Sequence, residues 1–246
     1  MIIGITGGIG SGKSVIARQL RKMGYSVYDT DSEAKRLIVE DAHVREQITA
    51  LFGPEAYKDG VYQTAFVAQQ VFADKTLLAR LNAIVHPAVR KDILRKFRSS
   101  EGSDAAELLF RGSEVLFFIE CAILYTAHLD QLCDKVVVVT APEEVRLART
   151  IARDHSDVNK VRARMRAQNV EEDIRRADII INNDGTTSIP TLCEEILKEL
   201  IVSRSQSSLC SLLPQNNLLN KKSKIIINQL IEVTLSAIFF YYYLHK

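Results

Sequence analysis

The sequence predicts an α/β fold in which a parallel five-stranded sheet is flanked by helices. Short apolar runs that stop at glycines or acids recur along the chain, as expected for strands buried on both faces of a parallel sheet. Stretches with apolar residues at helical spacing separate these runs, and this alternation favours right-handed crossovers in a doubly wound sheet. The 246 residues, 47% of them hydrophobic, are enough for one sizeable core.

Five segments are predicted as strands because they are short, apolar and rich in β-branched residues. They cover residues 2–6, 25–28, 114–120, 134–142 and 177–183. A helix over residues 14–23 follows the first strand, and a helix over residues 189–200 closes the fold. The predicted core therefore consists of residues 1–31, 114–145 and 177–200, which leaves two insertions.

Both insertions are predicted to be helical. The first, residues 32–113, contains Gly53, Pro54, Gly60 and Pro87, which we expect to separate its helices, and its polar stretch 98–107 is predicted as an exposed loop. The second, residues 146–176, is rich in arginine. We expect the second insertion to form a lid.

The composition changes after residue 200, so residues 201–246 are treated as a C-terminal extension of unknown role. Residues 225–244 are long and apolar enough to span a membrane, but Asn228, Gln229 and Glu232 interrupt them. Three interpretations remain open: a dispensable extension, a segment that packs on the core or a partner, and a membrane anchor. Membrane association is not expected of the core.

The charge balance and the cysteines bear on the partners and the location expected for the protein. The 32 Lys and Arg residues nearly balance 30 Asp and Glu, and a net charge of +2 argues against bulk electrostatic binding of nucleic acid. The four cysteines are widely spaced, and no signal-peptide pattern precedes the first strand. We therefore expect a cytoplasmic protein, a monomer or small homo-oligomer, without a nucleic-acid partner.

A phosphate-binding loop follows the first predicted strand. Gly7, Gly12, Lys13 and Ser14 fit the pattern G-x-x-x-x-G-K-[ST] between a strand and a helix, which is the context this motif requires. Such a loop points backbone N–H groups at phosphate oxygens, and the helix adds its positive end. The loop predicts a P-loop NTPase-like fold, with Lys13 on the β- and γ-phosphates and Ser14 as a ligand of Mg²⁺.

The remaining sequence favours a small-molecule kinase. No N-K-x-D or T-K-x-D segment follows the strand at 134–142, where a GTPase is expected to read guanine. The chain also lacks the second lobe usual for a motor ATPase. Two helical insertions instead suit an enzyme that must enclose its acceptor and exclude water.

Acids at the predicted strand ends are the candidates for acid–base and metal chemistry. Asp31 stands near the end of the second strand, where a carboxylate can orient or deprotonate an acceptor hydroxyl. Asp29 is expected to be a helix N-cap or an acid in a turn. For Glu120 two interpretations remain open: a ligand of Mg²⁺ through water, and a strand-end acid on a polar rim.

Arginines of the predicted lid are candidates for stabilising the transferred phosphoryl group. Arg149 and Arg153 lie four residues apart and so share a helical face. We expect Arg149 to act catalytically and Arg153 to be second to it, whereas most other arginines of the segment belong to a solvated surface.

Several motifs in order resemble the dephospho-CoA kinase family over about residues 1–200. They are GITGGIGSGKS from Gly4, VYDTDSEAKRL from Val27, NAIVHP at 82–87, RTIARD at 149–154, AQ at Ala167 and Gln168, and ADIIINNDG from Ala177. The phosphate loop is common to many families, but the DTD, NAIVHP and ADIIINN segments are far more specific together. This resemblance implies ATP-dependent phosphorylation of the ribose 3′-hydroxyl of dephospho-CoA, with Mg²⁺.

The resemblance also implies roles for single residues. Thr6 and Asp31 would border the reacting hydroxyl, with Asp31 as the base, and His86 would lie on the acceptor side. The helical insertion at residues 32–113 would be the acceptor-binding lobe. Arg149 would act from the lid, and Asn183 would belong to the loop around adenine. The ATP phosphates would be wrapped by Gly10, Ser11, Gly12, Lys13, Ser14 and Val15.

The sequence departs from the family pattern at three places. Val15 replaces the usual threonine, the segment after Asp59 lacks an arginine often found there, and Thr126 stands where the family commonly has a glutamate. A nucleoside or nucleotide kinase, and a nucleotide-binding module without catalysis, remain the alternative functions.

Overall fold

The structure is a computed structural model that describes residues 1–101 and 115–212. The chain divides into two units, Met1–Cys193 and Glu194–Lys246. Predictions for residues 102–114, including most of the polar loop and the start of the third predicted strand, lie outside the described residues. So does the apolar stretch of the extension at 225–244.

A parallel sheet of five strands forms the centre of the first unit within the described residues, in the order β2-β5-β1-β6-β7. A separate antiparallel hairpin pairs β3 with β4. The strands are β1 Ile2–Gly7, β2 Ser26–Asp29, β3 Tyr57–Lys58, β4 Val61–Tyr62, β5 Phe117–Glu120, β6 Lys135–Thr140 and β7 Ile179–Asn182. The predicted fold class is confirmed.

The register of the sheet brings the carboxyl ends of β1, β2 and β5 together at one edge. Ile5 of β1 and Asp29 of β2 both lie beside Glu120 of β5, because all of these strand pairs are parallel. Strand β1 is central and buried throughout, since apolar residues cover both faces of a parallel sheet. The phosphate-binding loop therefore starts from the middle of the sheet, close to the carboxyl ends of its neighbours.

Helices flank the sheet and build the two insertions. They are α1 Lys13–Lys22, α2 Thr30–Glu40, α3 Ala42–Phe52, α4 Thr64–Ala73, α5 Lys75–Glu101, α6 Glu143–Asp154, α7 Val158–Arg166, α8 Val170–Arg176 and α9 Ile189–Leu212. Helix α1 packs Ile16, Ala17 and Leu20 into the core. The first insertion has a small core of its own, made of Val44, Ile48, Ala56 and Val67.

One prediction for the first insertion is confirmed and one is wrong. Gly60 lies between α3 and α4, as predicted, and forms the turn of the β3–β4 hairpin together with Asp59, whose φ is 51°; an Asp-Gly pair suits such a turn because both residues tolerate positive φ. Pro87 does not end a helix but lies inside the 27-residue α5. Tertiary packing outweighs the lost backbone hydrogen bond, since Val85, Val89 and Ile93 are all buried.

Other boundaries shift by a few residues. Residues 98–101, predicted as part of a loop, belong to α5, and α9 continues to Leu212, beyond the predicted end at residue 200. Within the stretches that the structure describes, no helix combines the length and apolarity that a membrane crossing requires.

Candidate active site

The phosphate-binding loop joins β1 to α1 in a conformation that only glycine adopts readily. Gly10 and Gly12 have φ values of 78° and 96°. A Cβ atom on Gly12 would lie 2.1 Å from Nδ2 of Asn183, and one on Gly10 would lie 2.3 Å from the carbonyl oxygen of Arg146. Any side chain at these positions would displace its neighbours, so both glycines are needed for the loop to pack against the β7–α9 connection and α6.

Asn183 connects this loop to the predicted lid. It follows β7 and is 3% exposed, and its Nδ2 donates a hydrogen bond to the Ser11 carbonyl oxygen at 2.8 Å. Its own carbonyl oxygen accepts a hydrogen bond from Nη1 of Arg149, also at 2.8 Å. A single buried residue thereby fixes both the phosphate loop and the guanidinium above it.

Ser14 and Glu120 form the other side of the loop. The Ser14 hydroxyl donates to Oε1 of Glu120 at 2.5 Å, and the Thr30 hydroxyl donates to the Glu120 carbonyl oxygen at 2.9 Å. Glu120 is buried, at 8% exposure, so it is not the acid on a polar rim that was one of its two interpretations. This position leaves the metal-binding interpretation open.

The oxygen atoms of Ser14 and Glu120 fit Mg²⁺. Magnesium prefers hard oxygen ligands and is usually held by one or two protein groups together with phosphates and water, rather than by a protein cage. Residues 1–101 and 115–212 contain no group of three or more His, Cys, Asp or Glu side chains placed to hold a metal.

Lys13, at the first position of α1, lies among charges of both signs. Burial lowers its pKa, while the carboxylates of Glu120 and Asp31 act in the opposite direction and Arg153 lowers it further. The charges of the predicted base, Asp31, and of Arg153 thus act on Lys13, the predicted phosphate ligand.

Asp31 also borders a pocket of about 210 Å³ between α2, α5 and the segment after β5. Burial and then the charge of His128 lower the pKa of His86, so this imidazole is neutral near pH 7 and can donate or accept a hydrogen bond. The lining is mainly apolar apart from a few polar groups. Its residues include Thr30, Asp31, Ala34, Leu81, Asn82, Val85, His86, Val89, Cys121 and Ile123.

A network of charges holds α2, which carries Asp31, against α5, which carries His86. Buried Asp92 accepts hydrogen bonds from Arg36 at 2.8 Å, from Tyr28 at 3.0 Å and from Arg95. Arg36 in turn pairs with Glu33 at 2.6 Å. Burial opposes ionisation of Asp92, but these partners outweigh it and hold its pKa below the usual range.

Asp92→Asn is expected to reduce the free energy of unfolding by about 2 kcal/mol at pH 7, because it removes a charge-assisted acceptor from this network. The folded-state pKa is depressed, so the stabilisation is present above the unfolded pKa of about 3.9 and is lost as pH falls through the folded value. Urea unfolding at pH 7 and at about pH 3.5 should show a difference that shrinks in acid.

Asp59→Asn is the matched control for this substitution. Asn accepts the positive φ of the hairpin turn, and the site is exposed, so the free energy of unfolding should change by less than about 0.5 kcal/mol at either pH. If the effect of Asp92→Asn were as large at about pH 3.5 as at pH 7, the network would not act through the ionised carboxylate.

Helices α6, α7 and α8 form the segment predicted as a lid, and its two predicted arginines differ in their surroundings. Nη1 of Arg149 is fixed by Asn183 and lies near the phosphate loop, since a Cβ atom on Gly12 would be 4.0 Å from it. Arg153 is 62% exposed and pairs with Asp154, its Nε lying 2.6 Å from Oδ1. Arg149 is therefore better placed than Arg153 to contact a phosphate group in the loop.

A family model for dephospho-CoA kinase matches residues 1–188. The chain belongs to the dephospho-CoA kinase family. The family, the kinase class and the fold predicted from the sequence are therefore confirmed, and residues beyond 188 lie outside the match.

Relatives with the same name are similar over most of their length. The dephospho-CoA kinase of Porphyromonas gingivalis strain W83 is 41% identical over 175 residues, which cover 71% of this chain and 81% of the relative. That of Salinibacter ruber is 39% identical over 186 residues, covering 75% and 89%.

Solved structures agree on the fold. A protein from Thermus thermophilus, TT1252, matches with a TM-score of 0.64 and 35% identity, covering 82% of this chain and 97% of that protein. The dephospho-CoA kinase from Campylobacter jejuni matches with a TM-score of 0.59 at 24% identity, covering 82% and 98%, and indicates the fold alone.

In this dephospho-CoA kinase family member, the hydrogen bonds of four predicted site residues could not be predicted from the sequence. The Thr6 and Ser11 hydroxyls are buried and have no hydrogen-bond partner within the described residues. The Val15 N–H donates to the Gly12 carbonyl oxygen at 3.0 Å. Asn183 contacts the loop through its amide. The predicted contacts of these four residues with the reacting hydroxyl, phosphate and adenine stay predictions.

The helix N-cap predicted for Asp29 is confirmed, since its side chain accepts from the N–H groups of Asp31 and Ser32. Asp31 consequently lies in the first turn of α2. Asn82, which was not predicted as a site residue, lies one helical turn from His86 in the same pocket. The spacing of four residues between two polar side chains was the available signal.

Proposed function

We propose that this chain transfers the γ-phosphoryl group of ATP to the ribose 3′-hydroxyl of dephospho-CoA, the last step of coenzyme A synthesis. One observation carries this proposal. Asp31 belongs both to the pocket that contains His86 and to the charged group around Lys13. A hydroxyl held in that pocket would therefore meet a base and a bound triphosphate at the same point.

Each of these residues has a separate role in the reaction. Asp31 orients the hydroxyl and accepts its proton as the bond from the 3′-oxygen to the γ-phosphorus forms and the bond to the β,γ-bridging oxygen breaks. Lys13 and the N–H groups of the loop bind the β- and γ-phosphates. Arg149 stabilises the charge that spreads over the transferred group.

Ser14 and Glu120 would hold Mg²⁺ through the oxygen atoms that now share a hydrogen bond. When bound there, the ion neutralises charge on the phosphate oxygens. Ser14 would turn its lone pairs towards the ion, and Glu120 would bind directly or through water. Arg153 adds positive charge at the rim of the same site.

The acceptor would lie in the pocket beside His86. Its apolar walls suit the faces of an adenine or the stem of a pantetheine, and neutral His86 and Asn82 supply hydrogen bonds. Thr6, beneath the loop, is proposed to border the reacting hydroxyl, and Asn183 to flank the adenine of ATP. The cytoplasmic location and the monomeric or small homo-oligomeric state stay predictions.

An acceptor panel tests the proposal. Purified protein with ATP and Mg²⁺ is expected to phosphorylate dephospho-CoA at least about 100-fold more efficiently, by kcat/KM, than nucleosides or nucleoside monophosphates, because only the full acceptor fills the pocket. Phosphoryl transfer is measured as ADP release, and the product is identified by mass.

Two results of this panel would favour the alternative functions. Preference for a nucleoside or nucleoside monophosphate would indicate a nucleoside or nucleotide kinase. ATP binding without transfer to any acceptor would indicate a nucleotide-binding module that has lost catalysis. A reaction without Mg²⁺ that equals the reaction with it would remove the ion from the proposal.

A further inference from the structure

Gln168 contacts the phosphate loop from the lid side. It lies between α7 and α8, and its side-chain oxygen Oε1 accepts a hydrogen bond from the backbone N–H of Ile9 at 2.7 Å. Its own backbone N–H donates to the Met165 carbonyl oxygen at 3.2 Å, which ties it to the end of α7. The contact joins residues 159 positions apart in the chain.

The surroundings of this hydrogen bond are tightly packed. A Cβ atom on Gly8 would lie 3.1 Å from Cγ2 of Val170 and 2.5 Å from Nη1 of Arg146, and one on Gly10 would lie 2.7 Å from the Thr150 hydroxyl. The lid therefore covers the outer side of the loop on both sides of Ile9. Gln168 is itself partly buried.

The loop needs such a contact because it contains many glycines. Four of the six residues from Gly7 to Gly12 are glycine, and glycine has the largest conformational freedom to lose on ordering. Fixing the Ile9 peptide limits the orientation of the N–H groups that follow it. A loop ordered before the nucleotide arrives binds it more tightly, because less entropy is lost on binding.

We propose that Gln168 is a positioning residue that orders the phosphate loop through the Ile9 N–H and joins the loop to the lid. It acts on ATP only through the loop, so its effect should be on nucleotide affinity rather than on the chemical step. This inference rests on the proposed function only in taking ATP as the ligand of the loop.

Gln168→Leu tests the inference, since leucine has a similar volume but no acceptor. The Kd for ATP and Mg²⁺, measured by titration calorimetry without acceptor, is expected to rise about tenfold, because the partly buried Ile9 N–H loses its partner. At saturating ATP, kcat should fall less than about threefold, which corresponds to about 0.6 kcal/mol. Hydrogen exchange of residues 7–14 in the nucleotide-free protein should become faster.

Gln168→Glu and Gln47→Leu serve as the matched variants. The glutamate keeps an acceptor oxygen, so exchange of residues 7–14 should return to the wild-type rate in the nucleotide-free protein. Gln47 is a half-buried glutamine of α3, far from the phosphate loop in the chain, that bonds only locally to His43 among the described residues, and its substitution should change neither affinity nor exchange.

Three outcomes would overturn the inference: an unchanged or lower Kd in Gln168→Leu, an unchanged exchange rate of residues 7–14, or faster exchange in Gln168→Glu equal to that in Gln168→Leu. These readouts use nucleotide-free protein and ATP alone. Failure to phosphorylate dephospho-CoA would therefore count against the proposed function and leave the result for Gln168 standing.

Discussion

Asp31→Asn is expected to lower kcat by about 10²- to 10⁴-fold, the usual contribution of a positioned general base. The amide keeps the shape of the carboxylate but neither accepts the proton of the acceptor hydroxyl nor carries its charge. Steady-state kinetics with dephospho-CoA measure kcat, and calorimetry measures the Kd for ATP. That Kd should change by less than about threefold, because the nucleotide is held mainly by the loop.

Asp41→Asn is the matched control for this variant. Asp41 is the N-cap of α3 and lies directly after α2, whose other end carries Asp31, and asparagine caps helices about as well as aspartate. Its kcat should be that of the wild type. Wild-type turnover in Asp31→Asn would mean that another group, or water, accepts the proton.

Arg149→Ala is expected to lower kcat by about 10³-fold or more, in the range of arginines that stabilise a transferring phosphoryl group. The guanidinium is already held by the Asn183 carbonyl oxygen, so little reorganisation is needed during the reaction. Arg149→Lys should recover only part of the loss, because a lysine supplies the charge without the planar pair of donors. Kinetics at saturating ATP and dephospho-CoA measure both variants.

Arg162→Ala provides the matched control within the lid. Arg162 pairs with Glu143 and Glu144 at 3.3 and 3.2 Å near the surface, and such pairs contribute little. Its kcat should remain within about twofold of the wild type. If Arg149→Ala raised the Kd for ATP strongly and left kcat unchanged, Arg149 would be a binding residue rather than a catalytic one.

Local patterns were sufficient to predict most elements of the fold. The strands of the sheet are short apolar runs, and the phosphate loop has a spacing that few other structures require. The patterns failed in the first insertion. Pro87 is a helix breaker by its local chemistry, yet it lies within α5 because residues on either side of it are buried against neighbouring helices.

The candidate site, too, was predicted only in part from the sequence. The motif predicted Lys13 and Ser14, and the position of Asp31 near a strand end predicted its place at the sheet edge. The two interpretations of Glu120 could not be separated from the sequence, since burial and the hydrogen bond from Ser14 depend on the pairing of β5 with β1 and β2. Gln168 carries no local signal of its contact with Ile9.

The sequence by itself determined the nucleotide-binding loop, the succession of the five sheet strands along the chain, and the family, because these depend on residue type and spacing along the chain. Only the tertiary structure decided that Asn183 fixes both the loop and Arg149, that Asp92 joins α2 to α5, and that Gln168 meets Ile9. These contacts join residues far apart in the chain, and their partners are set by the packing of whole elements rather than by any local pattern.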